Sequence, residues 1–483
     1  MVKVGAKLEH VHASVTRVRH INGLYFAAAL AAVGAVFQAV GSTSDQMVSV
    51  LVFAATVAGT LLYWRFRLAF AIGGAGLLLL LGILSLNLMV GYMSVDVVAF
   101  LVSMMVIVES VEHTGLFRYL TCQLVRRIRY RPERLIVAFM ALGAVTGAVI
   151  DEVTAVLLLG VMILNLCETW RVNPKPYLVS AVFAINIGSA ATVLGNPVGV
   201  IIAFKALLSF EDFLRWATPV STIALVAAMS LVLLLFRKDL REDAERIKVT
   251  LRDGDPLVVN GGVLSHDRGK LKRVTAVFVT VLVLVALHHR LELLLGLSKN
   301  VLLLGIPLLG AAFTLVFEKD DARQLVESGV DWWTLLFFMF LFAITATLQD
   351  TGVTQLVAEG VVNLSAGNEM VLLSLLTWPV MLLSGTIDNV PLLIPLIHVI
   401  FRIEETGVSV YPLWWIVLFA NNFGGNLTMV GSTANVVALG LLEKRGKSSI
   451  GLLEWLKIGL VVTVATVGLA QVMVYLMQPR PLT

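Results

Sequence analysis

Apolar runs of about 20 residues recur along almost the whole chain, and they restrict its fold more than any other feature. A run of that length crosses the roughly 30 Å hydrocarbon core of a bilayer as one α-helix. With 58% hydrophobic and 14% charged residues, the composition is far from that of a soluble domain. Alternating patterns of strand length are not seen, so helices are expected to do the spanning. The sequence predicts an all-α polytopic membrane protein.

The apolar runs divide into single spans and two longer stretches. About 11 transmembrane helices are predicted on length alone, and they lie near 22–40, 47–64, 68–90, 96–112, 177–203, 217–236, 274–289, 299–317, 331–349, 412–440 and 458–477. Between the sixth and seventh spans, residues 237–273 are charged and have no long apolar run. This segment is predicted to be an aqueous linker between two halves.

Basic residues predict the orientation in the membrane, because cytoplasmic loops carry the excess of Lys and Arg. The basic loop residues assigned to the inside, together with the linker, are Arg65, Arg67, Arg126, Arg127, Arg129, Arg131, Arg134, Arg171, Lys175, Lys444, Arg445 and Lys447. Loops 41–46 and 350–369 have no Lys or Arg and are assigned to the outside. We expect a multi-pass protein of the cell (plasma or inner) membrane, with the N-terminus cytoplasmic and the C-terminus outside. The net charge of +4 fits basic inner loops around a lipid bilayer and not a nucleic-acid surface.

The two halves of the chain share motifs in the same order. Ile150-Asp151-Glu152-Val153 matches Ile387-Asp388-Asn389-Val390 at an offset of 237 residues, and the segment 183–195 matches 419–431 at an offset of 236. Five arginines precede the first motif, whereas the loop before the second has none, so the repeats are predicted to be inverted. The predicted organisation is an N-terminal segment with the first helix (1–46), a first repeat (47–236), the cytoplasmic linker (237–273) and a second repeat (274–483).

Each repeat contains a 33-residue apolar stretch, 135–167 or 369–401. One straight helix of that length would be about 50 Å long, which exceeds a single crossing. A re-entrant hairpin fits better, with its tip at Asp151-Glu152 in one copy and at Asp388 to Pro391 in the other. Ionisable groups at bilayer depth are costly and mark sites, although Asp151, Glu152 and Asp388 are also suited to capping half-helices. Glu109 and Glu112, at the end of a span, are interpreted as interfacial.

The spans that follow the hairpins are predicted to be broken, because glycine and small polar residues interrupt them at 188–197 and 424–435. Freed carbonyls suit Na⁺, freed helix N-termini suit anions, and carboxylates suit cations and protons. The three carboxylates Asp151, Glu152 and Asp388 and the break glycines Gly188, Gly424 and Gly425 are therefore candidates for the substrate and ion site. Asp151 and Asp388 are the candidate Na⁺ ligands.

Enzymatic and nucleotide-driven functions are not favoured by the sequence. Gly446-Lys447-Ser448 resembles the end of a phosphate-binding loop, but the earlier glycine is displaced by one residue and no strand precedes it. No Cys/His cluster suggests a cofactor or a structural metal. An ion gradient, with Na⁺ or H⁺ as the coupling ion, is therefore the expected source of energy. A membrane receptor or an intramembrane enzyme is the alternative of another class.

The residues resemble the ArsB/NhaD group of the ion transporter superfamily, which includes arsenite permeases, sodium/proton antiporters and the melanosomal P protein. The strongest similarity lies at 150–157, 186–197, 383–391 and 424–437. The resemblance implies a scaffold domain, a transport domain with elevator-like movement, and a homodimer. It also implies that the ion and substrate sites are lined by residues of the hairpin tips and broken helices, namely Asp151, Glu152, Thr154, Ser189, Asn196, Asp388, Asn389, Asn426, Ser432, Thr433 and Asn435. Members of the group commonly carry Asp-Asn at the first tip, whereas this chain has Asp151-Glu152.

Two functions follow as hypotheses. The leading one is a secondary active ion transporter with cation/proton coupling, such as Na⁺/H⁺ antiport, because three carboxylates are predicted at the midplane. The alternative is a permease for a small anion or oxyanion such as arsenite, silicate or a carboxylate, bound by Ser, Thr, Asn and half-helix amides. The difference between Glu152 and Asn389 is predicted to set the coupling ion.

Overall fold

A computed structural model of the chain describes residues 25–39, 41–63, 66–117, 119, 131–252, 268–445 and 450–480. Several predictions lie outside these residues. They concern the N-terminal residues 1–24, Arg65, Arg126, Arg127, Arg129 and Lys447.

The described residues are mainly helical. The first eleven helices are α1 (Tyr25–Ala39), α2 (Ser44–Leu62), α3 (Arg67–Leu80), α4 (Leu86–Tyr92), α5 (Val95–His113), α6 (Pro132–Val149), α7 (Glu152–Thr169), α8 (Lys175–Ser189), α9 (Pro197–Lys205), α10 (Phe210–Leu235) and α11 (Arg237–Arg252). The next ten are α12 (Arg268–Leu295), α13 (Val301–Glu318), α14 (Ala322–Gly329), α15 (Trp332–Asp350), α16 (Val353–Ser365), α17 (Glu369–Ser384), α18 (Asn389–Glu405), α19 (Tyr411–Gly424), α20 (Thr433–Lys444) and α21 (Leu452–Met477).

Length and apolar composition allow eight of the described helices to cross a membrane, or nine if α4 and α5 form one bent span. Both arms of the first hairpin, α6 and α7, are among the eight. The prediction of one continuous span over 68–90 is wrong, because α3 ends at Leu80 and α4 begins at Leu86. Gly82 adopts a positive φ of 73°, a conformation that ends a helix and that glycine takes without strain.

The two predicted hairpins and the two predicted broken helices are confirmed as helix pairs. The first hairpin is α6–α7 and the first broken helix is α8–α9. The second hairpin is α17–α18 and the second broken helix is α19–α20. Pro391 lies inside the first turn of α18, where a proline is tolerated because the backbone N–H there has no helical acceptor. The break therefore precedes Pro391.

The chain divides into two compact units, and each takes pieces of both sequence halves. One unit comprises Met1–Ser94 and Trp332–Gly360, and the other comprises Val95–Asp331 and Val361–Thr483. In the first unit, α2, α3 and α15 pack through buried residues that include Val52, Leu78 and Ile344. The hairpins and broken helices all belong to the second unit.

In the second unit, matching hydrogen bonds tie each hairpin to the broken helix of the same repeat. The Thr192 hydroxyl donates to the Ala148 carbonyl, and the Thr428 hydroxyl donates to the Gly385 carbonyl. Each threonine oxygen also accepts a backbone N–H from two residues further on, at 3.1 Å and 3.2 Å respectively. Because the two threonines are 236 residues apart, the internal duplication extends to the geometry of the breaks.

Candidate functional site

The first hairpin tip begins with a helix cap. Asp151 is the N-cap residue of α7, and its Oδ2 accepts hydrogen bonds from the Thr154 backbone N–H at 3.0 Å and from the Thr154 hydroxyl at 3.2 Å. This is the capping geometry that Asp favours at a helix N-terminus. The residue as a whole is half-buried.

The neighbouring Glu152 contacts the broken helices of both repeats. It is buried, with 6% of its surface exposed. Its Oε2 lies 3.5 Å from the Ser189 hydroxyl of the first broken helix, and its Oε1 lies 3.3 Å from the Ser432 hydroxyl of the second. Both distances exceed the 2.5–3.0 Å of a strong O–H···O bond. The carboxylate is thus enclosed between two breaks and weakly bonded to both.

A chain of amides continues from Glu152 across the repeats. Asn186, on α8, donates through Nδ2 to Asn426 Oδ1 at 2.8 Å and to Asn435 Oδ1 at 3.0 Å. Its own Oδ1 lies 3.4 Å from the Ser432 hydroxyl, the same hydroxyl that approaches Glu152. Asn435 in turn donates to the carbonyl oxygens of Gly425 and Thr428, both at 2.8 Å. Side chains of the first repeat therefore help to hold the second break open.

Asn196 and Ser432 occupy equivalent positions as caps of the second half-helices. Asn196 Oδ1 accepts the Gly199 N–H at 2.9 Å, while its Nδ2 donates to the Ser189 hydroxyl at 2.8 Å. Ser432 Oγ accepts the Ala434 N–H at 3.2 Å. Each residue thus ends the unwound segment and at the same time contacts the group around Glu152.

The second tip is built differently from the first. Asp388 is buried, and the Thr433 hydroxyl donates to its Oδ1 at 3.3 Å. The next residue, Asn389, accepts the Ser384 hydroxyl at 3.0 Å, and its carbonyl accepts Asn421 Nδ2 at 2.9 Å. Unlike Glu152, Asn389 is therefore bonded mainly within its own repeat.

Four buried amide atoms near this tip find no hydrogen-bond partner among the described residues. They are Asn389 Nδ2, Asn421 Oδ1, and both Nδ2 and Oδ1 of Asn422. Buried polar groups are normally satisfied, and each one left without a partner costs about 1–3 kcal/mol. Two donors and two acceptors are thus available here to a ligand or to water.

The glycines of the breaks lie where helices approach each other closely. A Cβ on Gly188 would overlap the Ala144 carbonyl of the first hairpin, and one on Gly424 would lie 2.9 Å from the Met381 carbonyl of the second. A Cβ on Gly425 would lie 3.2 Å from the Gly431 carbonyl. These glycines position the site by allowing hairpin and break to pack without intervening side chains.

A cavity of about 50 Å³ adjoins the first tip. Its polar lining comes from Asp151, Thr154, Asn196 and Glu109, and the remaining walls are mainly apolar residues of α5, the hairpin and the break. The sequence assigns Glu109 to the interface, and the structure adds that it faces the same cavity as Asp151.

Every residue predicted for the site lies at a tip or at a break of the second unit, but in separate groups. Glu152, Ser189, Asn196, Asn426, Ser432 and Asn435 belong to the network around Asn186, whereas Asp151 pairs with Thr154 and Asp388 with Thr433. The prediction missed Asn186, Ser384, Asn421 and Asn422. The match between Asn186 and Asn422 in the repeats was the signal available for two of them.

No group of three or more His, Cys, Asp or Glu side chains that could hold a metal ion occurs within the described part of the chain. A Na⁺ ion carried as cargo would instead use few carboxylates together with amide, hydroxyl and carbonyl oxygens. Asp151 and Asp388 each have hydroxyl oxygens close by, from Thr154 and Thr433.

The apolar helices, the paired hairpins and the paired breaks around buried polar groups define a polytopic helical membrane transporter. The chain belongs to the citrate transporter family, CitMHS, whose family model matches residues 51–420 and 301–481. The predicted resemblance is confirmed at the level of the ion transporter superfamily, while the narrower assignment to the ArsB/NhaD group stays a prediction.

Several curated proteins are similar to the chain. An uncharacterized transporter of Mycobacterium tuberculosis is 33% identical over 384 residues, which cover 79% of this chain and 86% of that protein. The 46 kDa membrane protein of Mycobacterium leprae is 33% identical over 386 residues, with the same coverage of 79% and 86%. The P protein of Homo sapiens is 26% identical over 457 residues, which cover 81% of this chain and 54% of that protein.

Among solved structures, the YdaH transporter of Alcanivorax borkumensis has a similar fold. The TM-score is 0.51 at 15% identity, and the match covers 81% of this chain and 86% of that one. At this identity the likeness concerns the fold alone.

Proposed function

We propose that the protein is a secondary active transporter that couples a cation to protons across the cell membrane, with Na⁺/H⁺ antiport as the specific reaction. Alternating access would expose the tips and breaks to one side of the membrane and then to the other, in an elevator-like movement. The N-terminus is proposed to be cytoplasmic and the working form to be a homodimer.

The observation that supports this proposal most is the buried position of the Glu152 carboxylate. A buried ionised carboxylate is stable only if it is paired and well hydrogen-bonded. Here the described contacts are two serine hydroxyls at 3.3 Å and 3.5 Å, which do not balance a full negative charge. The group therefore has to hold a proton or a cation, and the choice between the two is the chemistry of an antiporter.

The position of Glu152 also suits the exchange of a proton for a cation. It bonds to both broken helices, so a shift of the hairpin tip relative to either serine changes its surroundings. A ligand shifts an equilibrium between two conformations only through its different affinity for each. A carboxylate that joins both repeats has that property, whereas Asn389, its counterpart in the second repeat, carries no charge.

Purified protein in proteoliposomes with an internal pH dye tests the proposal. An imposed Na⁺ or Li⁺ gradient should change the internal pH, and Glu152→Gln should lower the initial rate at least tenfold because it removes the exchangeable charge. Glu168→Gln is the matched control. It makes the same change on the same helix, but at an exposed carboxylate that pairs with Arg445 at 3.0 Å.

Two outcomes of this experiment would contradict the proposal. Wild-type protein that is folded and inserted, but shows no pH response to either cation, would contradict antiport. A Glu152→Gln variant with the rate of Glu168→Gln would remove Glu152 from the coupling mechanism.

Transport of a small anion or oxyanion, such as arsenite, silicate or a carboxylate, is the second candidate. The family name points to citrate, and the buried donors Asn389 Nδ2 and Asn422 Nδ2, which have no partner among the described residues, favour this function. Against it, the N-terminal amides of α7, α9 and α20 already bond to Asp151, Asn196 and Ser432. Uptake of radiolabelled citrate or arsenite that is independent of Na⁺, and is lost in Asn422→Leu, would favour the anion over the cation.

A further inference from the structure

The cavity beside the first tip connects two carboxylates from different elements. It is lined by Asp151 at the tip and by Glu109 in the last turn of α5, together with Thr154 and Asn196. At about 50 Å³ it exceeds the space that a single water needs. Water in this cavity would have polar partners among these four lining residues, as buried water requires.

Glu109 lies at the wall of this cavity and also reaches the surface of the chain. Its Oε1 lies 3.2 Å from His113 Nε2, one helical turn further along α5. The Glu109 side chain is 31% exposed and the His113 side chain is 41% exposed, so both reach the surface of the chain. The pair therefore joins an exposed histidine to the wall of a cavity that also touches Asp151.

Gly329, the last residue of α14, keeps Glu109 in this position. A Cβ at Gly329 would lie 2.6 Å from Cγ of Glu109 and 3.1 Å from its Cβ. Gly329 also lines the cavity itself. The missing side chain thus leaves space for the Glu109 side chain beside the cavity.

Charged and titratable groups from several elements lie near Glu109 and its cavity, including Glu112 on α5 and the Glu318–Lys270 pair, whose Glu318 accepts the hydroxyl of the adjacent Ser110 at 2.6 Å. His113 belongs to α5, Asp151 to the hairpin tip, and Asp331, which follows α14, interacts electrostatically with Asp151. Carboxylates that share a small space favour retention of a proton or a cation between them. The surroundings of the cavity therefore suit the passage of positive charge.

We propose that Glu109, assisted by His113, is the inner relay of the transporter, which passes protons between the cytoplasm and the cavity beside the first tip. This inference rests on the proposed cation/proton function and adds a route to it. A proton from water or from His113 Nε2 binds the Glu109 carboxylate and passes from it to water in the cavity, and the reverse sequence releases it. Only O–H and N–H bonds form and break, so no oxidant or other reactant is needed.

The placement on the cytoplasmic side rests on the orientation predicted from the basic loops. His113 is followed by the segment that carries Arg126, Arg127, Arg129, Arg131 and Arg134, which is assigned to the inside by its charge. Histidine and carboxylate side chains are the usual carriers of protons in such paths.

Proton flux in proteoliposomes, measured as a function of pH on the cytoplasmic side, tests the relay. Glu109→Gln should lower the maximal rate about tenfold and leave the KM for Na⁺ within twofold, because the relay supplies protons and does not bind the cation. Glu112→Gln is the control, since Glu112 lies on the same helix but is not part of the cavity lining. Its rate should remain within twofold of wild type.

Two further variants separate a relay from a merely structural role. Glu109→Ala vacates space into which formate fits, so added formate should raise its rate severalfold, while Asp151→Asn should not respond. Gly329→Ala keeps every charge but displaces the Glu109 side chain, and it should also slow proton flux.

The results distinguish a failure of the relay from a failure of the proposed function. If wild-type protein moves protons and Glu109→Gln matches Glu112→Gln, the relay is wrong and the proposed function stands. Absence of formate rescue in a folded Glu109→Ala variant would likewise overturn the relay. If wild-type protein moves no protons, the proposed function and the relay fall together.

Discussion

At the scale of single residues, Asn186 shows how one side chain holds two repeats together. Both hydrogens of its amide are used on Asn426 and Asn435, and its oxygen lies 3.4 Å from the Ser432 hydroxyl, whose one hydrogen is shared with Glu152. All of these groups are buried. In a buried network each member depends on the others, because an unsatisfied amide costs more than a made hydrogen bond contributes.

Asn186→Ala should destabilise the protein by about 2 kcal/mol or more, since it leaves two buried acceptors without donors. The thermal midpoint in detergent should fall, and the transport rate should fall with it. Asn165→Ala is the control, because Asn165 is exposed and bonds Arg445 at the surface. Equal midpoints for the two variants would show that the network around Asn186 does not support the breaks.

At the scale of elements, each hairpin and the following broken helix act as one packed pair. Gly188 meets the backbone of α6 at Ala144, and Gly424 meets the backbone of α17 at Met381. A threonine hydroxyl of each break also donates a hydrogen bond to a hairpin carbonyl, near the end of α6 in the first repeat and of α17 in the second. The tip is therefore positioned by backbone-to-backbone contact, which is stiffer than contact through long side chains.

Gly188→Ala should force α6 and α8 apart, at a cost of about 1–3 kcal/mol for overpacking. The thermal midpoint should drop, and transport should be slowed more strongly than by Asn186→Ala because the whole tip moves. Gly440→Ala provides the comparison, because a methyl group added there would have no described atom within 4 Å and α20 should gain slightly in helix propensity. A Gly188→Ala variant as stable as Gly440→Ala would argue against tight packing of this pair.

At the scale of the whole molecule, the segment between the two sequence halves does not only connect them but also packs against other helices. Helix α11 buries Leu240 and Ile247 on one side, and Asp243 from the same face accepts the Tyr177 hydroxyl at 3.1 Å. Tyr177 lies in the first turn of α8. The linker is thus attached to the start of the first broken helix, within the second unit.

This attachment should depend on pH. Burial is the main cause that raises the pKa of Asp243 above its ordinary value of 3.8, and the hydrogen bond from Tyr177 partly opposes it. Since the docked state binds the proton more tightly, docking should be strengthened as pH falls through the raised pKa and should reach its full strength below 3.8. Hydrogen exchange of residues 237–248, corrected for its intrinsic pH dependence, should show greater protection at pH ~4.5 than at pH ~7.5. Asp243→Asn should abolish the difference, and a difference that persists in this variant would assign it to another group.

Much of the architecture was predictable because membrane spanning has few solutions. Apolar run length located most spans, and the matched motifs at 150–153 and 387–390 located both hairpin tips. The break near Gly82 was not predicted, because apolar residues continue on both sides and hydropathy does not register a change in backbone direction.

The sequence by itself determined the class of protein, the duplicated hairpins and breaks, and the positions of the acidic residues, because bilayer thickness and backbone hydrogen bonding dictate them. Only the tertiary structure decided which polar groups meet. Glu152 reaches serines 37 and 280 residues away, and Glu109 shares a cavity with Asp151, although neither pairing leaves a trace in local spacing. The reason is physical: polar side chains within a membrane protein must find partners wherever helix packing brings them together, and packing is set by contacts between distant segments.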